Sequence, residues 1–130
     1  MYLFLDNSAE DNLFFIVVNR DKKNKKFLFK KKKARQGPLF CFDEMIKTKK
    51  INLKDIQGVG VLIGSGRFTA TRIGVTFGNT LSYFLHCPIV GLEIFDIDEF
   101  LSKIKKNKTG IYLSAKYSAD ANIGQSKKCL

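Results

Sequence analysis

The chain has 130 residues, a formal net charge of +11, 45% hydrophobic residues and 27% charged ones. That is the length of one domain and the composition of a core-burying chain, so wholesale disorder is excluded. No apolar run approaches the roughly 20 residues that cross a bilayer, and the start, Met-Tyr-Leu-Phe-Leu-Asp, lacks the basic-then-apolar layout of a signal peptide. A cytoplasmic protein that touches no membrane is expected.

Residues 2–5 form an apolar run that stops at the turn-forming cluster Asp6-Asn7-Ser8, and read as a buried strand. Residues 12–19 are dense in β-branched and aromatic side chains and predict a second strand. A polar turn over 21–25 leads to a third strand over 26–33, Lys-Phe-Leu-Phe-Lys-Lys-Lys-Lys, whose lysines discourage edge-to-edge pairing. Three strands joined by short turns imply an antiparallel meander.

The period then changes. Gly37-Pro38 opens a segment with Leu39, Phe42, Met45 and Ile46 at helical spacing, and Pro38 suits a helix start. The basic run 47–50 suits its C-terminus. A connector over 51–56 precedes 58–64, Gly-Val-Gly-Val-Leu-Ile-Gly, which reads as a fully buried strand. After a loop over 65–68, residues 69–85 predict a helix with Ile73, Phe77, Leu81, Phe84 and Leu85 on one side. Residues 88–92 read as another buried strand, 95–105 as an amphipathic helix with Phe95, Phe100, Leu101 and Ile104 apolar, and 111–115 as a last strand. The order β-β-β-α-β-α-β-α-β predicts an α/β protein with a mixed sheet, the layout of a ribonuclease-H-like or actin/hexokinase-type half-domain. One domain is expected over 1–117, with a loose tail over 118–130.

Charge is concentrated. Residues 20–35 hold ten basic residues against the single acid Asp21, so +9 of the +11 lies in one segment. Lys22, Lys23, Lys25, Lys26, Lys30, Lys31, Lys32 and Lys33 are the candidates for RNA contact, since such a field attracts polyanions. The alternative is a solvated hairpin, because lysine dominates and no aromatic–arginine alternation is present.

Catalytic signals are sparse. Cys41, Cys87 and Cys129 are far apart, and the one histidine is His86, so neither a structural zinc site nor a disulfide framework is expected. Cys41 lacks a histidine partner unless His86 comes near. Asp6 with Asp96 or Asp98 would be a carboxylate pair, but Asp96, Asp98 and Glu99 fit better as the acidic start of a helix. No catalytic residue, metal or cofactor is expected.

The glycine-rich stretch 58–74 runs from a buried strand through a turn into a helix, a geometry that can aim backbone N–H groups at an anion. The fingerprints fail, because Arg67-Phe68 follows Gly66 where a P-loop needs Lys-Ser/Thr, and Ile63 stands where a dinucleotide fold needs glycine. Ala70, Gly74, Gly78 and Ser82 recur every four residues and give a small-residue face suited to close helix packing.

Gly64, Gly66, Phe68, Thr69, Arg72, Ile73 and Gly74, with Pro88 and Gly91 beyond, resemble the TsaB (YeaZ) family pattern Gly-Pro-Gly-Ser-Phe-Thr-Gly-x-Arg-Ile-Gly and its Pro-x-x-Gly strand. Ser65, Arg67 and Ala70 depart from Pro, Ser and Gly; Gln36-Gly37 stands where the family often carries His-Ser; Asp6-Asn7-Ser8 is similar to its Asp-Thr-Ser. The match is specific over 55–96. It implies a partner subunit in synthesis of the threonylcarbamoyl-adenosine modification of tRNA, non-catalytic, docking a TsaD catalytic subunit through its helices, with the ATPase TsaE joining the pair. The family is longer, so a shortened member keeping the partner-binding half is implied. Leu39, Phe42, Met45, Ile46, Ala70, Gly74, Gly78, Leu81 and Ser82 are the expected interface, which a second copy could also use. The alternatives are an RNA-binding module acting through the 20–35 hairpin and an actin/hexokinase-type ATP-binding enzyme.

Overall fold

The structure, a computed structural model, describes residues 1–30, 37–64 and 68–114, apart from the Phe68 side chain. Five strands form one sheet: β1 (Tyr2–Asp6), β2 (Asn12–Val18), β3 (Asn24–Lys30), β4 (Gly58–Leu62) and β5 (Ile89–Leu92), in the order β3-β2-β1-β4-β5. The β1-β2-β3 meander is antiparallel, whereas β4 runs parallel to both β1 and β5. The helices are α1 (Pro38–Lys47), α2 (Phe68–Leu85) and α3 (Ile97–Lys106), with a 3-10 turn at Leu53–Asp55 in the connector.

Strand alternation builds two cores. Leu3 and Leu5 of β1, Phe15 of β2 and Val59 and Val61 of β4 face α1 and α2, meeting Phe42, Met45, Val75 and Leu81. Tyr2 and Phe4, with Ile16 and Val18, face the other way onto Phe100, Leu101 and Ile104 of α3. A strand buried on both faces is apolar at every position, which is why β1 and β4 read as unbroken apolar runs. The β4 glycines let α3 approach. Gly60 pairs with Phe4, and a Cβ at Gly60 would lie 2.5 Å from both Phe4 Cδ2 and Phe100 Cε1.

Element ends follow local chemistry. Asp96 caps α3 by accepting from the Asp98 and Glu99 amides at 2.9 and 3.0 Å. This starts the helix two residues later than the hydrophobic pattern predicts, and frees Phe95 to pack on Phe4 with ring centroids 4.8 Å apart. At the end of α1 the Lys49 amide bonds the Ile46 carbonyl and the Lys50 amide the Met45 carbonyl, with Lys49 at φ 60°. At the end of α2 the His86 and Cys87 amides bond the Tyr83 and Ser82 carbonyls, with His86 at φ 53°. Both ends are Schellman motifs without the usual glycine.

The expected last strand is corrected. Residues 111–114 are not a strand; Leu113 is instead clamped by Asn79 of α2, its amide donating to Asn79 Oδ1 at 2.9 Å and its carbonyl accepting from Asn79 Nδ2 at 3.0 Å. A helix side chain supplies the pair of bonds a neighbouring strand would have made. β3 begins two residues earlier than expected and is described to Lys30; Lys31, Lys32 and Lys33, the loop at 65–67 and the tail expected at 118–130 lie outside the described residues. Among the described residues no helix is long and apolar enough to cross a membrane.

Candidate partner-binding groove and basic edge

The α2 helix presents two unlike sides, and the sheet chooses between them. β4 and β5 offer it the branched side chains Val61 and Ile89. A Cβ at Gly78 would overlap Val61 Cγ2 and lie 3.0 Å from Ile89 Cδ1, and one at Gly74 would lie 3.4 Å from Val61 Cγ1. Ser82 is buried on the same side, its hydroxyl donating to the Cys87 carbonyl at 2.5 Å. The small-residue face is therefore where α2 sits on its own sheet.

The residues expected at the interface divide by burial. Gly74, Gly78, Leu81 and Ser82 of α2, with Phe42 and Met45 of α1, are buried inside the chain. Ile46 and Ala70 are half-buried, and the Ala70 carbonyl accepts from Asn7 Nδ2 at 3.1 Å. Of the residues expected at the surface, Leu39 is there, 71% exposed.

The opposite side of α2 faces out. Ile73 and Phe84, which the helical spacing places on one side with Phe77, Leu81 and Leu85, are 45% and 67% exposed. With Leu39 and Phe40 across from them on α1, they line a groove of about 900 Å3 between the two helices. Its floor is Phe42, Phe77 and Leu81, and Thr69, Arg72, Thr76 and Thr80 line its α2 wall. The Phe42 and Phe77 rings stack edge-on at 5.5 Å, and Phe77 meets Phe15 at 5.9 Å, so the floor is fixed to the sheet. Phe40, Leu53, Ile73, Thr76, Thr80 and Phe84 are among the groove residues that the sequence reading did not place at an interface. The signal available was β4 itself, whose valines leave room for glycine and not for isoleucine.

The glycine turn lies at the C-terminal end of β4. Gly64 has φ 81°, a conformation glycine adopts freely, and a Cβ there would meet Glu93 Cγ at 3.2 Å. Gly66 lies outside the described residues; Phe68 opens α2, Thr69 and Arg72 are exposed on it, and Gly74 is beneath it. Asp6, at the neighbouring end of β1, accepts from the Ser8 hydroxyl at 2.6 Å and the Ser8 amide at 2.9 Å. Asp96 caps α3 and Asp98 pairs with Lys22 at 2.7 Å. Cys41 is buried, and burial pushes the Cys87 thiol up to about 11, so Cys87 is protonated at neutral pH.

The described lysines of the basic hairpin divide into two groups. Lys22 is held by Asp98, whose hydrogen bond and charge raise its pKa, and Lys23 lies 3.9 Å from Asp21. Lys25 and Lys26 instead rest on rings, Lys25 Nζ 5.4 Å from the Phe27 centroid and Lys26 Nζ 4.0 Å from that of Phe14. Lys30 is exposed at the end of β3.

Against known proteins, the family described as "TsaD: tRNA N6-adenosine threonylcarbamoyltransferase" matches residues 35–117, well over half of the chain. YeaZ from Pseudomonas aeruginosa is similar in structure, with a TM-score of 0.58 and 18% identity over 70% of this chain and 43% of that one. A second structure, of an uncharacterised protein from Pseudomonas aeruginosa with similarity to the peptidase YeaZ, gives 0.57 and 17% over 71% and 43%. No curated protein matches the chain. The chain thus spans less than half the length of the two solved structures, and the part it shares with them has their actin/hexokinase-type α/β fold. The sequence match over well over half of its length makes this chain a member of the TsaD family.

Proposed function

We propose that this protein is a non-catalytic subunit of the system that makes the threonylcarbamoyl-adenosine modification of tRNA, and that it docks a TsaD-type catalytic subunit in the groove between α1 and α2. The groove carries the proposal: Leu39, Phe40, Ile73 and Phe84 expose a contiguous apolar surface among the described residues, and such surfaces mark protein interfaces. Family membership supports the choice of system. The acids that would have to serve chemistry have structural duties instead: Asp6 holds the turn after β1, Asp96 caps α3 and Asp98 binds Lys22. A TsaE-type ATPase would join the pair.

The test is reconstitution with the TsaD-type subunit of the same organism. Wild-type protein is expected to co-elute with it and to be required for tRNA modification. Full modification without this chain, or no complex with it, would reject the proposal. Micromolar binding of Mg-ATP to the isolated chain would favour the enzyme reading instead.

A further inference from the structure

Two basic runs that are separate in the sequence meet in the fold. The Schellman turn that ends α1 throws Lys50 back toward the sheet, where its Nζ lies 5.7 Å from the Phe27 centroid. Lys25 reaches the same ring from the strand at 5.4 Å. On the other face of the β2–β3 ribbon, Lys26 covers Phe14. Among the other described lysines of these runs, Lys22 pairs with Asp98, Lys23 lies 3.9 Å from Asp21 and Lys47 pairs with Asp43 at 2.9 Å, while Lys49 is exposed in the left-handed turn after α1. Among the described residues, Lys25, Lys26, Lys30 and Lys50 pair with no carboxylate, and all four are exposed.

We propose that an RNA strand wraps the β3 edge beside the last turn of α1, with Lys25, Lys50 and the Phe27 ring meeting it on one face of the ribbon and Lys26, Lys30 and the Phe14 ring on the other, the four lysines on its phosphates and the two rings as stacking faces. Unpaired lysines on flexible stems follow a phosphate backbone as point charges. The rings under them choose RNA over an acidic polypeptide. When an ammonium moves from ring to phosphate, it uncovers an aromatic face on which a base can stack, and an acidic peptide has nothing to put there. The surface is distinct from the α1–α2 groove. It takes from the proposed function only that the polyanion is RNA, and its test uses RNA without any partner protein.

The experiment is fluorescence anisotropy of the full chain with an unmodified transfer-RNA transcript, from about 50 to 200 mM salt. Wild-type affinity is expected to fall steeply with salt. Lys25→Gln with Lys50→Gln should flatten the log–log slope by about two and weaken binding at least about tenfold at low salt. Lys105→Gln with Lys106→Gln, an equal charge change on α3, should leave both unchanged. Phe27→Leu should weaken binding several-fold at an unchanged slope. The proposal is overturned if the α3 pair matters as much as Lys25 and Lys50, if the Lys25/Lys50 variant binds like wild type, or if polyglutamate competes as well as unlabelled RNA.

Discussion

Gly78 of α2 stands directly on Val61 of β4, so closely that any side chain at Gly78 would overlap the valine methyl. This contact sets the rotation of the helix. Residues four apart share a helix face, so Gly74 and Ser82 join Gly78 on the sheet, and Ile73, Thr76, Thr80 and Phe84 are turned outward. The groove exists because the sheet under α2 is already full.

Gly78→Val is therefore a folding mutation. Overpacking against Val61 and Ile89 should cost about 1–3 kcal/mol or more, read as a lower denaturant midpoint. A variant that kept wild-type stability would show that α2 does not sit on this face.

His86 holds a left-handed backbone position that costs a non-glycine residue about 1–2 kcal/mol. His86→Gly should raise stability by up to about 1 kcal/mol, part of the relief being offset by the greater freedom of glycine in the unfolded chain. A thermal melt checks this; a fall in midpoint would mean the imidazole makes a contact worth more than the strain.

The Asn79 clamp on Leu113 predicts a local effect. Asn79→Leu removes both bonds and should cost about 0.5–2 kcal/mol. Amide exchange at Leu113 should quicken while β1 and β4 stay protected. Unchanged exchange would show that packing alone holds the segment.

Cys87 makes alkaline stability pH-dependent. Burial raises its pKa in the folded state from the ordinary 9.0 to about 11, so the unfolded chain loses this proton first. The protonated thiol's contribution is complete below about pH 9 and disappears as pH rises through about 11. Cys87→Ala should fall less steeply than wild type across that window in denaturant titrations, and parallel curves would remove the thiol as the cause.

Much of the fold was legible in the residues. Alternation and β-branching located the first strands, a glycine-bounded apolar run located β4 and the short apolar run 88–92 located β5, because buried strands need apolar side chains on both faces. The groove was not legible. Periodicity shows that α2 has a large-residue side and a small-residue side, and the larger side is ordinarily the buried one. Here the order is reversed by residues far away in sequence, since Val61 and Ile89 fill the space that Ile73 or Phe84 would need. The meeting of Lys25 and Lys50 was hidden for a similar reason: it depends on the turn after α1 folding back onto β3. The clamp on Leu113 depends on one asparagine that no pattern in α2 marks.

The most direct measurement is a titration of the TsaD-type subunit into wild-type protein and into the variants Ile73→Asp and Phe84→Asp, with thermal midpoints recorded in parallel. Both side chains are exposed, so the midpoints should stay at the wild-type value. Docking in the groove is expected to lose at least about 30-fold in affinity in each variant, the loss of one interface hot spot. Wild-type affinity in both would contradict the groove as the docking site.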